Sequence, residues 1–446
     1  MLRQNDSRDA EPRSVVQPSA PARSPWSWIP TLYVAEGMPA GIASAVSVVL
    51  YKDLGISNAR IAFYTAWLSL PWVIKPLWSP IVEMLRTRRL WIWSMQLFLG
   101  AALAGIALTL PASSFFQLSL AFFWLLAFSS ATHDIAADGF YLHALTEREQ
   151  SFFSGIRNTF FRGALICAQG LLVMAAGIIG ERTGNKALAW QIAFGAAVGI
   201  FLLLALYHRR ILPAPASDAP NEWKSPAQFA RQFFDAFREF FRKPKIGTIL
   251  LFLLLYRFGE AQLVRMVSPF LLDPRAAGGL GLSTAQVGLV YGTLGLIALL
   301  LGGIAGGILV SRHGLRAWLW PMVFVMHLPD AVFIYLSMAQ PRALSLIGTA
   351  LALEQFGYGF GFTAYMLYMI YIARGPHQTA HYAIAAGFMA LGLMLPGMWS
   401  GRLQELMGYR HFFIWILAAT IPGFIVTALI SLPKDFGKED TPADVA

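Results

Sequence analysis

The sequence has little charge and almost no cysteine. Only 13% of its 446 residues are Asp, Glu, Lys or Arg, against 57% apolar. That balance lies outside ordinary soluble domains and within the range of polytopic membrane proteins. The single cysteine, Cys167, sits in an apolar segment, which excludes a disulfide framework and a Cys-x-x-Cys metal site. No HExxH, GxSxG or phosphate-binding glycine loop occurs, so neither a catalytic centre nor a cofactor or metal site is expected. Basic residues are not gathered on one soluble face, which argues against nucleic acid as a partner. Residues 1–27 are polar, rich in Pro, Ser and Arg, and hold no cleavable apolar leader; they read as a disordered cytoplasmic tail.

What the sequence does have is long apolar runs. Stretches able to cross about 30 Å of hydrocarbon fall at 28–50, 59–80, 90–110, 115–142, 154–179, 187–206, 246–272, 284–310, 317–338, 343–372, 380–399 and 411–432. The expected fold is an all-α polytopic membrane protein of twelve transmembrane helices, spans 1 to 12 below. Pro71 and Pro76 interrupt span 2, which neighbouring helices tolerate in a bundle. With the N-terminus inside, 22 of the 34 Lys and Arg fall in inner segments and 8 in outer loops, and Lys75, Arg162, Arg257 and Arg265 lie within spans. This bias predicts both termini in the cytoplasm.

The chain is also internally repeated. "LGISNARIAFY" at 54–64 matches "LGLSTAQVGLVY" at 280–291, and "RLWIW" at 89–93 matches "RAWLW" at 316–320, an offset of 226 or 227 residues. Ser57 and Ser283 stand where an N-cap would satisfy the first amides of the following helix. Between the copies, 207–245 carries a Pro-rich stretch and then "AQFARQFFDAFREFFRKPK". Its phenylalanines recur at helical spacing against arginines, as in a helix lying on the inner leaflet. The expected organisation is a six-helix bundle at 28–206, a cytoplasmic linker with an amphipathic helix at 207–245, a second bundle at 246–432, and a cytoplasmic tail at 433–446. Two parallel six-helix repeats resemble the major facilitator architecture, whose substrate site lies between the halves near mid-membrane. "GGILVSRHGLR" at 306–316 resembles that superfamily's inner-loop signature, retaining Arg312, Gly314 and Arg316 with Ser311 in place of the acid; Glu83 is the matching acid of the first copy. Such loops latch an inner gate.

An ionisable group in lipid costs a few kcal/mol or more, so each needs a partner or a task. Asp134 and Asp138 share a helix face. Spans 4 and 5 turn near residue 148, so residues equidistant from it share a depth. That arithmetic pairs Asp134 with Arg162 and Asp138 with Arg157. At 1.5 Å per residue Asp134 lies about 28 Å from the outer end of span 4, nearer the cytoplasm than the midplane. These pairs read as gate latches, with proton chemistry at Asp134 open beside that reading.

Span 7 places Arg257 and Glu260 midway, with Arg265 near the outer end. A mid-membrane arginine can hold a substrate carboxylate or phosphate by its rigid fork, and Glu260 can hold the arginine when no substrate does; the alternative is an ion pair that fixes packing. Glu36 and Glu354 are candidate proton carriers. Asp330, with His327 one turn away, is ambiguous. Tyr365 and Tyr368 could stack on sugar rings if they face the cavity, although packing accounts for most of the aromatic series on span 10.

Three motifs carry a closer resemblance. "SATHDIAADGFYL" around Asp134 and Asp138, "PWVIKPLWSPIVE" around Lys75 and Glu83, and "YRFGEA" around Arg257 and Glu260 resemble signatures of the peptide/acetyl-CoA/drug transporter family, which includes the AmpG-type muropeptide permeases. His133 departs from the family's glutamine, Arg257 from its lysine, and two glutamates from its aspartates. The resemblance implies a monomeric proton symporter of the bacterial inner membrane, taking a muropeptide, amino-sugar or related sugar- or peptide-containing solute up into the cytoplasm. Arg257 and Lys75 would hold an anionic cargo, with Glu260, Asp134, Glu36 and Glu354 as coupling sites. A siderophore permease, a drug exporter, and a non-transporting membrane sensor or enzyme are the rival readings.

Overall fold

A chain surrounded by lipid must satisfy its own backbone polar groups, so long apolar runs become helices. The computed structural model describes residues 23–79, 82, 86–215, 218, 226–375, 378–433 and 436–437, and these contain helices and no strand. Among the described residues, nine helical stretches are long and apolar enough to cross a membrane. One of them, Ala380–Leu429, is two spans joined at Gly408, whose φ of 71° breaks the helix. With 58–77 and Leu344–Ala373 added, the spans number twelve.

Span 1 is Pro25–Asp53, span 2 is 58–77, span 3 Arg88–Thr109, span 4 Phe115–Ala144, span 5 147–183 and span 6 Lys186–Ile211. Span 7 is Ile246–Leu272, span 8 Thr284–His313, span 9 Leu315–Ala339 and span 10 Leu344–Ala373; spans 11 and 12 are 378–407 and 409–429. Several run past their apolar core because polar ends are capped. Span 5 begins seven residues earlier than its hydropathy suggests, where Thr146 and Glu149 close a capping box. Ser57 and Ser283 are N-caps, accepting from the amides of Arg60 and Gln286. The linker helix is Pro226–Phe241; Phe240 is buried against His381, while Phe234 is exposed. The side chains of Phe229 and Phe233, together with Glu83 and most of both expected tails, lie outside what the structure describes.

The buried aromatic side chains fall into separate clusters. Tyr51, Phe123, Trp190, Phe194 and Phe201 pack together within residues 23–211. Phe252, Tyr256, Tyr365 and Tyr368 do so within residues 246–433. Leu108, Leu203, Ile304 and Leu406 are exposed, as expected of side chains that meet acyl tails.

Several departures from regular α-helix lie where these halves face each other. π-turns occur at Ile42–Val46 in span 1, Cys167–Leu172 in span 5 and Val290–Gly295 in span 8. Spans 5 and 8 cross so closely that a Cβ on Gly292 would collide with the carbonyl of Gln169. Span 7 breaks at Tyr256–Arg257, where Arg257 adopts φ −109° and ψ 22°. Span 9 breaks into a 3-10 turn at Leu328–Asp330 beside Pro329, a residue that cannot continue the backbone ladder.

Candidate functional site

Between the halves lies a cavity of about 280 Å³. Ser44, Ser69, Arg162 and Gln169 line it from spans 1, 2 and 5; Arg257, Arg265, Tyr291, Gln355, Tyr358 and Phe362 line it from spans 7, 8 and 10. No Asp or Glu is among the lining residues. Three arginines around a space without a carboxylate give its lining a net positive charge.

Each arginine is positioned differently. The helix break at Arg257 lets its side chain leave span 7 and donate from Nη2 to the Tyr358 hydroxyl, with the guanidinium 5.1 Å from the Tyr358 ring centroid and 4.8 Å from that of Phe362. Such stacking suits a planar, weakly hydrated cation. Arg265 reaches across to the other half, donating from Nη1 to Ser44 O at 3.1 Å and from Nη2 to Ser69 Oγ at 3.4 Å. It therefore belongs to the cavity, deeper than its expected place at the outer end. Arg162 also faces the cavity.

Arg162 thus does not pair with Asp134. Asp134 Oδ2 lies 2.6 Å from Lys75 Nζ instead. Arg157 Nη1 lies 3.0 Å from Asp138 Oδ1 and 2.9 Å from the Tyr33 hydroxyl. The expected pair of Asp138 with Arg157 is present, but Arg157 and Arg162 are five residues apart, about 140° around a helix. They cannot both face span 4. Lys75, committed to Asp134, does not line the cavity. Glu36 joins Asp134 and Asp138, with carboxylate oxygens of all three within 4.8 Å of one another.

Glu260 is also placed differently from expectation. It does not bond Arg257; its carboxylate lies with those of Asp330 and Glu354, again within 4.8 Å, and each residue is 1% exposed. Tyr365 and Tyr368 do not line the cavity: Tyr365 is fully buried and donates to Leu253 O at 2.6 Å, and Tyr368 packs on Phe252. Tyr358, about two turns before Tyr365 and nearly three before Tyr368, is the span 10 tyrosine that lines the cavity. His133 points from span 4 into its own half, with Nε2 3.0 Å from Gln96, which also contacts His208. Arg312 is exposed in the last turn of span 8.

The two halves are tied together at the end away from residues 23–28 and 430–437. Lys52 Nζ lies 2.5 Å from Asp273 Oδ1, and Asn58 Nδ2 donates to Gln404 Oε1 at 2.6 Å and to the Tyr409 hydroxyl at 2.9 Å. Gly401 packs directly on the carbonyl of Asn58. These residues gave no signal in the sequence beyond their place in loops.

The profile of the Major Facilitator Superfamily matches residues 31–395. The chain belongs to the major facilitator superfamily. It is a multi-pass membrane protein of a transporter family and not an enzyme. Within that superfamily it is 27% identical over 403 residues to the "Putative transporter AmpG 4" of Rickettsia conorii, covering 89% of this chain and 94% of that protein. It is 25% identical over 397 residues to the "Anhydromuropeptide permease" of Escherichia coli K12, covering 88% and 77%. Among solved structures it superposes on an aspartate-to-alanine variant of the nucleoside transporter NupG with a TM-score of 0.69 at 15% identity, covering 91% of this chain and 99% of that one. The major facilitator fold is thereby shared well beyond recognisable sequence.

Proposed function

We propose that this superfamily member carries an anionic muropeptide-like solute into the cytoplasm in symport with protons, as a monomer in the inner membrane with both termini cytoplasmic. The cavity's Arg162, Arg257 and Arg265, with no lining carboxylate, are the observation that carries the reading. A sugar-peptide with free carboxylates matches that charge, and the similarity to an anhydromuropeptide permease supports the same cargo class. Arg257 is the principal anchor, Arg265 and Arg162 assist, and Tyr358 offers a ring and a hydroxyl to a sugar. Lys75 is reassigned from cargo to Asp134.

Proton coupling is placed at Glu36, Asp134 and Asp138. Glu36 has one carboxylate oxygen without a hydrogen-bond partner among the described residues, and Lys75 and Arg157 stand beside its neighbours. Protonating such a set changes which cations are matched, and hence how tightly spans 1, 2, 4 and 5 hold together. In the proposed orientation the end tied by Lys52, Asn58 and Tyr409 faces outward, so the conformation is closed to the outside.

The test is uptake into liposomes containing the purified protein. An anhydromuropeptide should accumulate when an inward proton gradient is imposed, and its fully amidated analogue should not. Accumulation of both alike would remove the anion reading, and indifference to the gradient would remove symport. A drug exporter would instead move a cationic dye.

A further inference from the structure

The two acidic clusters differ in how their charge is met. Glu36, Asp134 and Asp138 have cations built in, since Lys75 bonds Asp134 and Arg157 bonds Asp138. Glu260, Asp330 and Glu354 have none in bonding contact. Both carboxylate oxygens of Asp330 and Oε2 of Glu260 lack a hydrogen-bond partner among the described residues, and Glu354 receives only the side-chain amide of Gln355 at 3.0 Å. Arg257, three residues before Glu260 on span 7, directs its bond and its face to Tyr358 and Phe362. His327 is turned toward Tyr256 and Phe424. Buried charge without a partner is not sustained in a protein interior.

We infer that Glu260, Asp330 and Glu354 form a binding site for one hard, oxygen-seeking cation of sodium or calcium size. A triangle of oxygens no wider than 4.8 Å puts its centre within about 2.8 Å of each, close to the roughly 2.3–2.6 Å of calcium–oxygen bonds. Asp330, buried to 1% and unpartnered, points into that triangle. Glu260 and Asp330 both adjoin helix breaks, at Tyr256–Arg257 and Leu328–Asp330, the kind of interruption where membrane helices coordinate ions. The charges also balance: three carboxylates and Arg257 leave two negative charges, met by one divalent ion or by one monovalent ion and one proton. Arg257 lines the cavity and interacts with Glu260, so an ion that neutralises the cluster would leave the arginine's charge to the proposed cargo. The site rests on the transporter reading but not on proton coupling or on the cargo.

Equilibrium dialysis of the full-length protein in nanodiscs, without any cargo, tests this with radioactive calcium and, separately, radioactive sodium against a choline background at mildly alkaline pH. Saturable binding of a single ion per chain is expected for one of the two. Asp330→Asn should abolish it, and Glu181→Gln, an exposed acid elsewhere, should retain it. Acidification should displace the ion from the unmodified protein, with Tyr291, Tyr358 and Arg257 the other titratable groups facing the cluster. Should Asp330→Asn fail to fold, Glu354→Gln and the acid displacement carry the test. Absence of saturable binding for both ions would overturn the site and leave protons as the cluster's only occupants. Undiminished binding in a folded Asp330→Asn protein would overturn it equally. Neither outcome touches muropeptide uptake, which the liposome assay reads separately.

Discussion

Lys75 Nζ sits 2.6 Å from Asp134 Oδ2, linking span 2 to span 4 within one half of the bundle. The pair is mostly shielded, with side chains 27% and 13% exposed. Removing one member strands the other in a poorly solvated place. Lys75→Met or Asp134→Asn should each destabilise the protein by roughly 1–3 kcal/mol, less than a fully buried pair would lose. The double variant should be more stable than the sum of the single losses implies. Thermal unfolding in detergent measures all three; additive losses would mean the pair contributes nothing as a pair.

Arg157 and Arg162 lie on the same span and should behave differently. Arg157→Gln deprives Asp138 and Tyr33 of their shared donor and should lower the unfolding temperature. Arg162→Gln removes a cavity arginine and should leave that temperature nearly unchanged while weakening muropeptide binding by roughly tenfold, the effect of one charge-assisted contact. Parallel thermal-shift curves with and without cargo separate them.

At Arg257 both charge and shape matter. Arg257→Gln should reduce affinity for the anionic cargo by about tenfold to a hundredfold. Arg257→Lys keeps the charge but loses the flat stacking on Tyr358 and Phe362, so it should recover only part of the loss. Binding titrations on the two variants check the order.

Gly401 is needed for closure at the distal end. Any side chain there meets the carbonyl of Asn58, so Gly401→Val should hold that end apart. With Cys167 replaced by serine, a cysteine introduced by Ser268→Cys in the cavity lining should react faster with a membrane-impermeant maleimide from that side. Unchanged labelling would show that the halves close without this contact.

Much of the architecture was legible because it follows from local chemistry. Span number, the two copies, and the caps at Ser57 and Ser283 depend on apolar length and on short-range donor satisfaction, both written along the chain. Pairing was legible only in part. The hairpin of spans 4 and 5 gives depth, which placed Arg157 beside Asp138. Azimuth was available too, as the five-residue gap between Arg157 and Arg162, and it excludes the second pair. Tyr365 and Tyr368 could not be distinguished from Tyr358 by type or spacing. Tyr365 shares nearly the azimuth of Tyr358, so depth along span 10 and the packing of Phe252 and Tyr256 on Tyr365 decide which of the two lines the cavity.

The sequence by itself determined that the chain crosses a membrane many times in two related halves, and that certain acids and bases lie where lipid would not hold them alone. Only the tertiary structure decided which of those charges meet. It gave Asp134 to Lys75, gathered Glu260 with Asp330 and Glu354, and left Arg162, Arg257 and Arg265 facing one space. The reason is physical: lipid burial acts on each residue separately and can be read from composition, whereas charge pairing depends on distances of a few ångström between helices far apart in the chain.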